Sequence, residues 1–130
     1  MSEQFNLEIV SPENSFLKKD NVIEVVIPAF EGEMGILKDH IPIITFLRPG
    51  FIKILNDKET TFFVEEGIVE FNNNNLLILT STPRELSKID KSSLKFLIEE
   101  AEQKISKESI SDKEKYFLFY KIDTLKSINR

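Results

Sequence analysis

The sequence predicts an antiparallel β-sandwich, flattened and barrel-like, followed by a C-terminal α-helical hairpin of two antiparallel helices. Three observations carry this. All four glycines and all five prolines lie at or before Pro83, and none follows through to Arg130. Turn residues punctuate short strands, and so long a stretch without them favours helix. Charge and aromatic content change at the same place: residues 1–84 carry 7 basic and 13 acidic side chains, the remainder 10 and 9, and eight of the eleven Phe lie in the first part. Finally, the hydrophobic period changes from two to 3.6 across that boundary. The expected division is residues 1–84 as the sandwich domain and 85–130 as the hairpin.

In the first part, Phe5, Leu7 and Ile9 alternate with Asn6 and Glu8, the pattern of a half-buried strand. Val22 to Ile27 is β-branched apart from Glu24 and is expected to form one strand ended by Pro28. Gly50–Leu55 and Thr60–Val64 flank the polar loop 56–59, while Ile68–Phe71 and Leu76–Thr80 flank four consecutive asparagines, Asn72 to Asn75. Asn tolerates positive φ better than other non-glycine residues, so the tetrad is expected to turn. Pro49-Gly50 has the form of a type II turn, with Pro presetting φ and Gly taking the positive φ that follows.

In the second part, Leu94, Leu97, Ile98, Ala101 and Ile105 form a single apolar stripe, with Asp90 placed as a cap before it. Ser106 to Ser109 breaks the pattern. Ser111 and Glu114 then form a capping box that opens a second helix, whose stripe includes Leu118, Ile122 and Leu125. Tyr116 to Tyr120 is apolar or aromatic on every side. A two-helix hairpin cannot cover a full circumference, so part of this cluster needs a further partner, the sandwich or another protein.

Composition narrows function. The net charge of −5 and a pI near 5.0 argue against a nucleic-acid binder. The absence of cysteine excludes disulfides, thiolate zinc sites, iron–sulfur clusters and cysteine nucleophiles. No apolar run approaches the ~20 residues of a membrane-spanning helix. Met1 to Gln4 carries neither a basic nor a hydrophobic leader signal, so the chain is expected to stay in the compartment where it is made. The single histidine, His40, has no Gly-x-Ser-x-Gly elbow to serve and no zinc-ligand spacing around it. Neither a phosphate loop nor a dinucleotide fingerprint is present. Glu31 and Glu33 could be a paired-carboxylate site, but nothing in the sequence separates their pKa values, and an acidic turn between strands accounts for them.

The stretch Glu31-Gly32-Glu33-Met34-Gly35-Ile36, with His40-Ile41-Pro42, Thr45 and Pro49-Gly50 at their spacings, resembles the epsilon subunits of bacterial F-type rotary ATP synthases. The opening Phe5 to Glu13, the Phe63 to Phe71 segment around Gly67, and Leu77-Ile78-Leu79 extend the similarity over essentially the whole chain. The resemblance implies a non-catalytic rotor subunit in the central stalk of a proton-translocating ATP synthase, peripheral at the cytoplasmic face of the bacterial inner membrane. It implies the gamma subunit and the ring of c subunits as partners of the sandwich, and the beta subunits as partners of the hairpin in a state that restrains ATP hydrolysis. It places Glu31, Glu33 and His40 at the c ring, where basic loops meet complementary charge. It places Lys113, Lys115, Lys121 and Lys126, with Arg130, on the inhibitory helix, where a solvated lysine-rich face is the structural alternative. Some members bind ATP through Ile/Leu-Asp-x-x-Arg-Ala at the first helix. Here Ile89 and Asp90 match, but Ser93 and Leu94 replace Arg and Ala, removing the guanidinium that would pair with phosphate, so no cofactor is expected. Two other classes stay open from the residues alone: a free-standing sandwich that binds a small ligand on a concave aromatic face, and an enzyme built on Glu31 and Glu33.

Overall fold

A computed structural model describes residues 3–12, 14–81 and 83–129. Ten strands are followed by a short 3-10 turn and two helices: β1 (Phe5–Ser11), β2 (Asn14–Val22), β3 (Glu24–Ala29), β4 (Gly32–Leu37), β5 (Ile43–Leu47), β6 (Gly50–Leu55), β7 (Glu59–Val64), β8 (Gly67–Asn72), β9 (Asn75–Leu79), β10 (Arg84–Glu85), the turn Leu86–Lys88, α1 (Lys91–Ile105) and α2 (Asp112–Lys126). All ten strands belong to one curled sheet. It folds into two layers, β2-β1-β9-β8-β5 and β10-β7-β6-β3-β4, joined at one corner where Ala29 of β3 pairs with Leu47 of β5. On the opposite side the layers meet through side chains, with the ring of Phe16 edge-on to Phe62 at 5.5 Å.

Alternation decides the core. Phe5, Leu7 and Ile9 point inward and are buried, and so do Ile52 and Ile54 on β6, Val69 and Phe71 on β8, and Leu76 and Ile78 on β9. Phe5 and Phe71, on the strands that flank β9, meet edge to face at 5.6 Å on the inner face of their layer. Burying these side chains contributes roughly 1.5–3 kcal/mol each. The asparagine tetrad does turn: Asn73 and Asn74 have φ of 50° and 60°, and together they form the two-residue loop of the β8–β9 hairpin.

Three local expectations are corrected. The β-branched run 22–27 is two strands, not one, because the chain crosses between layers at Ile23, whose N–H donates to the Leu55 carbonyl at 2.8 Å. Pro28 does not end its strand. It sits inside β3, opposite Glu33, beyond the last β3–β6 pair at Val26, so β6 asks no N–H of it. Gly50 does not take a positive φ; among the described glycines only Gly32 does, at 145°. Gly50 opens β6, and a Cβ there would come within 2.6 Å of Pro28 Cβ. The Pro-Gly pair thus serves close packing between strands rather than a type II turn. Four further strands, β2, β4, β5 and β10, complete the sheet.

The helices start where their caps lie. The Asp90 carboxylate accepts the Ser93 N–H at 2.8 Å, and Ser111 and Glu114 close a reciprocal capping box. Leu94, Leu97 and Ala101 of α1 are buried, as are Leu125 and, just beyond α2, Ile128. Leu94, Leu97, Leu125 and Ile128 form a cluster that also takes in Phe63 of β7, with Phe51 of β6 packed against it, so the sandwich lends aromatic surface to the hairpin. Leu118 and Ile122 are only half-buried.

Candidate interaction surfaces

Glu31 and Glu33 stand at the start of an edge strand. Glu31 lies in the turn between β3 and β4, Glu33 on β4 itself, and both are exposed. Glu33 is therefore a strand residue, not part of a loop. Among the described residues β4 pairs only with β3, which leaves its other edge without a strand partner. His40 lies beyond the far end of that strand, and the rise from Glu33 to Leu37 alone separates them by roughly 13 Å. The structure does not gather the three residues into one cluster; it sets them out along one strand edge.

The loop that carries His40 is tied down. Asp39 has a φ of 67°, its N–H donates to Asn74 Oδ1 at 2.7 Å, and Asn74 Nδ2 donates to Asp39 Oδ1 at 3.0 Å. The His40 N–H donates to the Leu37 carbonyl at 3.1 Å, and Nδ1 lies 2.8 Å from the Ile41 carbonyl. The imidazole edge rests on the Phe71 ring. These bonds join the loop to the β8–β9 turn and leave Ile41, 71% exposed, at its tip.

The outer face of β5, β8 and β9 is apolar. Pairing sets Phe46 opposite Ile68 and Ile68 opposite Leu79, and a second row runs Ile44, Glu70, Leu77. Directly opposed residues share a face of the sheet. Ile44 and Phe46 are 72% and 60% exposed, and Ile68 and Leu79 also face outward. A cleft of about 420 Å³ continues from this face to Phe30, Lys113 and Phe117.

The four lysines on α2 divide. Lys113 and Lys115 are exposed. Lys126 is exposed and pairs with Glu102 of α1 at 2.9 Å. Lys121 is buried, with its ammonium 2.9 Å from Glu65 Oε1, while Arg84 takes Glu65 Oε2 at 3.1 Å. Lys121 therefore does not belong to the solvated face in this conformation. Arg130 lies outside the described residues. Burial by itself would raise the pKa of Glu65, but the hydrogen bonds and charges of Lys121 and Arg84 outweigh it and hold the carboxyl below its ordinary value.

The aromatic run finds its partner in the sandwich. The Tyr116 hydroxyl donates to the Phe30 carbonyl at 2.8 Å, and the two rings meet edge-on at 4.9 Å. The Arg48 guanidinium lies 3.9 Å over the Tyr120 ring and donates to the Tyr116 hydroxyl at 3.4 Å. Phe119 stays 58% exposed. Arg48, Glu65 and Arg84 were not singled out by sequence. One signal was available: Lys121 falls between Leu118 and Leu125 at helical spacing, on the stripe rather than off it.

At the start of α1, Asp90 is occupied as a cap, held below its ordinary pKa first by the Ser93 backbone hydrogen bond, and Leu94 is buried in the hairpin core. Among the described residues no group of three or more His, Cys, Asp and Glu could hold a metal ion, and no helix is long and apolar enough to cross a membrane.

Residues 4–84 match the family profile described as the ATP synthase delta/epsilon chain beta-sandwich domain. The ATP synthase epsilon chain of Pelagibacter ubique is 55% identical over 130 residues, covering 99% of this chain and all of that one. That of Parvibaculum lavamentivorans is 34% identical, covering 98% and 97%. Among solved structures, a chain of the Euglena gracilis mitochondrial ATP synthase (OSCP, F1 and c-ring) superposes with a TM-score of 0.81 at 23% identity, over 98% of this chain and 82% of its own. A chain of the Tetrahymena thermophila mitochondrial ATP synthase central stalk and c-ring gives 0.67 at 13% identity, over 98% of both.

Proposed function

Since the chain belongs to the ATP synthase epsilon chain family, we propose that it is a non-catalytic rotor subunit of the central stalk, clamped to the gamma subunit and seated on the ring of c subunits. It carries rotation between proton flow and ATP synthesis, and it lies at the cytoplasmic face of the bacterial inner membrane, held there through the complex. The observation that carries the reading is the outward apolar face of Ile44, Phe46, Ile68 and Leu79. Contiguous apolar side chains on a soluble surface mark a place where another protein sits, and this face is assigned to gamma. The outer edge of β4, with the acidic turn of Glu31 and Glu33 at one end and His40 at the other, is assigned to the polar loops of the c ring. Carboxylates there supply charge complementary to basic loops and fix orientation.

Transmitting torque requires a body that does not shear. Paired strands closed around a close-packed, mainly aliphatic core, with the His40 loop cross-tied to the β8–β9 turn, meet that requirement. The hairpin restrains ATP hydrolysis, with the exposed Lys113, Lys115 and Lys126 facing acidic segments of the beta subunits; Lys121 joins them only when α2 has left the sandwich.

Co-purification with gamma and the c ring tests the assembly. A cross-link from Glu33→Cys to the c ring tests the assigned edge. Truncation after Lys88 is expected to raise ATP hydrolysis by the assembled head, and an unchanged rate removes the inhibitory role while leaving the rotor reading intact. A purified chain that ignores both neighbours, or that turns over a substrate unaided, refutes the rotor reading.

A further inference from the structure

The junction between α2 and the sandwich is built differently at its two ends. Around Leu125 and Ile128 it is apolar and shared with Phe63. One turn earlier it is polar: Lys121 enters the interface with Glu65 as its counter-charge, and Tyr116 and Tyr120 are fastened to Phe30 and Arg48. The Lys121 side chain retains 8% of its exposure, whereas Glu65 retains 27% and shares itself with Arg84 from β10.

We propose that Glu65 is a charge clasp for α2: while it is anionic it holds Lys121 in the interface, and its neutralisation releases the helix from the sandwich. The direction follows from the asymmetry of burial. A buried ion pair adds little net stability, because desolvation offsets most of its attraction, but leaving one member charged and alone is strongly unfavourable. With position 65 neutral, Lys121 loses the carboxylate it pairs with, while the neighbouring Glu66 carboxylate accepts from the Ser81 hydroxyl, and the ammonium recovers its hydration by leaving. The converse change is milder, since Glu65 without Lys121 keeps Arg84 and its access to water. That access is visible as a cleft of about 430 Å³ whose lining includes Glu65, Glu66, Lys104, Lys107, Glu114 and Lys121. Those side chains and Arg84 are the charges that face the clasp from the sandwich and the hairpin. The device belongs to the chain itself and does not depend on the rotor reading.

The molecule carries its own reporter. It has two tyrosines and no tryptophan, and both tyrosines lie at this junction. Near-ultraviolet circular dichroism of the full chain therefore reads docking, while the far-ultraviolet signal reads folding. In E65Q the tyrosine signal is expected to fall by more than half with the far-ultraviolet spectrum unchanged. K121Q is expected to lose less. The E65Q/K121M double variant, in which no buried charge is stranded and the methionine fills the lysine stem, is expected to regain the signal. K126Q, which cuts only the exposed pair with Glu102, leaves it unchanged. A wild-type tyrosine signal in E65Q, or a double variant no better than E65Q, overturns the proposal. Should E65Q lose its far-ultraviolet signal as well, the double variant decides: folded and docked supports the clasp, folded and undocked overturns it, and unfolded overturns it too, because the fault then lies in Glu65 itself and not in the charge left opposite it.

Discussion

Phe46→Ala isolates the apolar face assigned to gamma. Phe46 is 60% exposed, and a phenylalanine buries on the order of 200 Å² when fully covered. Covering what is now open would remove about 120 Å² from water, of which the alanine would keep a small share. The difference, about 100 Å², is worth roughly 2.5 kcal/mol at 25 cal/mol per Å². Affinity for gamma should then fall about 60-fold, since 1.4 kcal/mol is tenfold. Folding stability should hardly change, because the lost surface lies outside the core. The assay is a calorimetric titration of gamma with the full chain, paired with thermal unfolding of each variant. Phe96→Ala provides the matched control, being 62% exposed but on α1, away from the β5–β8–β9 face. Equal affinity for wild type and Phe46→Ala, or an equal loss in both variants, would refute the assignment.

Acid should release α2 through the same carboxyl that holds it. The Glu65 pKa is depressed below its ordinary 4.5, so its contribution is fully present above that value and is lost only as pH falls through the lowered pKa, which near-ultraviolet circular dichroism against pH will show as a flat signal down to about 4.5 and a fall below it. Gly67→Ala places a Cβ 2.5 Å from the Leu79 carbonyl oxygen and 3.0 Å from Leu47 Cδ1, backbone and core side chain together, so calorimetry should record a loss of about 2 kcal/mol, or roughly 6–10 °C in Tm. The double variant Glu31→Gln/Glu33→Gln should bind the c ring more slowly and with a flatter dependence on ionic strength, read by stopped-flow or surface-binding kinetics across a salt series.

What the sequence made legible was what local rules decide. The period-two runs at Phe5–Ile9 and Ile68–Phe71, the asparagine turn, the Asp90 cap and the Ser111–Glu114 box all depend on residues a few positions apart. The failures share one cause, which is long-range packing. A β-branched run reads the same on either side of the corner at Ile23, so the passage between layers was invisible. The need for glycine at position 50 comes from Pro28, which lies across the β3–β6 junction rather than beside it in sequence. β4 and β5 escape the period-two rule because their exposed positions are not reliably polar: Gly35 and Leu37 on one, Ile44 and Phe46 on the other, so no apolar–polar alternation marks them. An outward-facing Phe46 also counts as core in composition, though it is a surface feature with a use.

The lysines of α2 carry the point furthest. By composition they are interchangeable members of a basic helix, and any reading from charge alone treats them as one face. Packing separates them by what each can reach. Lys126 reaches Glu102 in solvent, where screening leaves an exposed pair worth well under 1 kcal/mol. Lys121 reaches Glu65 from within the interface, where water is scarce and the same pairing decides whether the helix can stay. The helix therefore presents its basic residues in two lots: those always exposed and the one surrendered only on release. A docked α2 offers a partner fewer cations than a free one, so an acidic partner that needs Lys121 must first outcompete Glu65, and binding to such a partner and docking to the sandwich exclude each other at this residue.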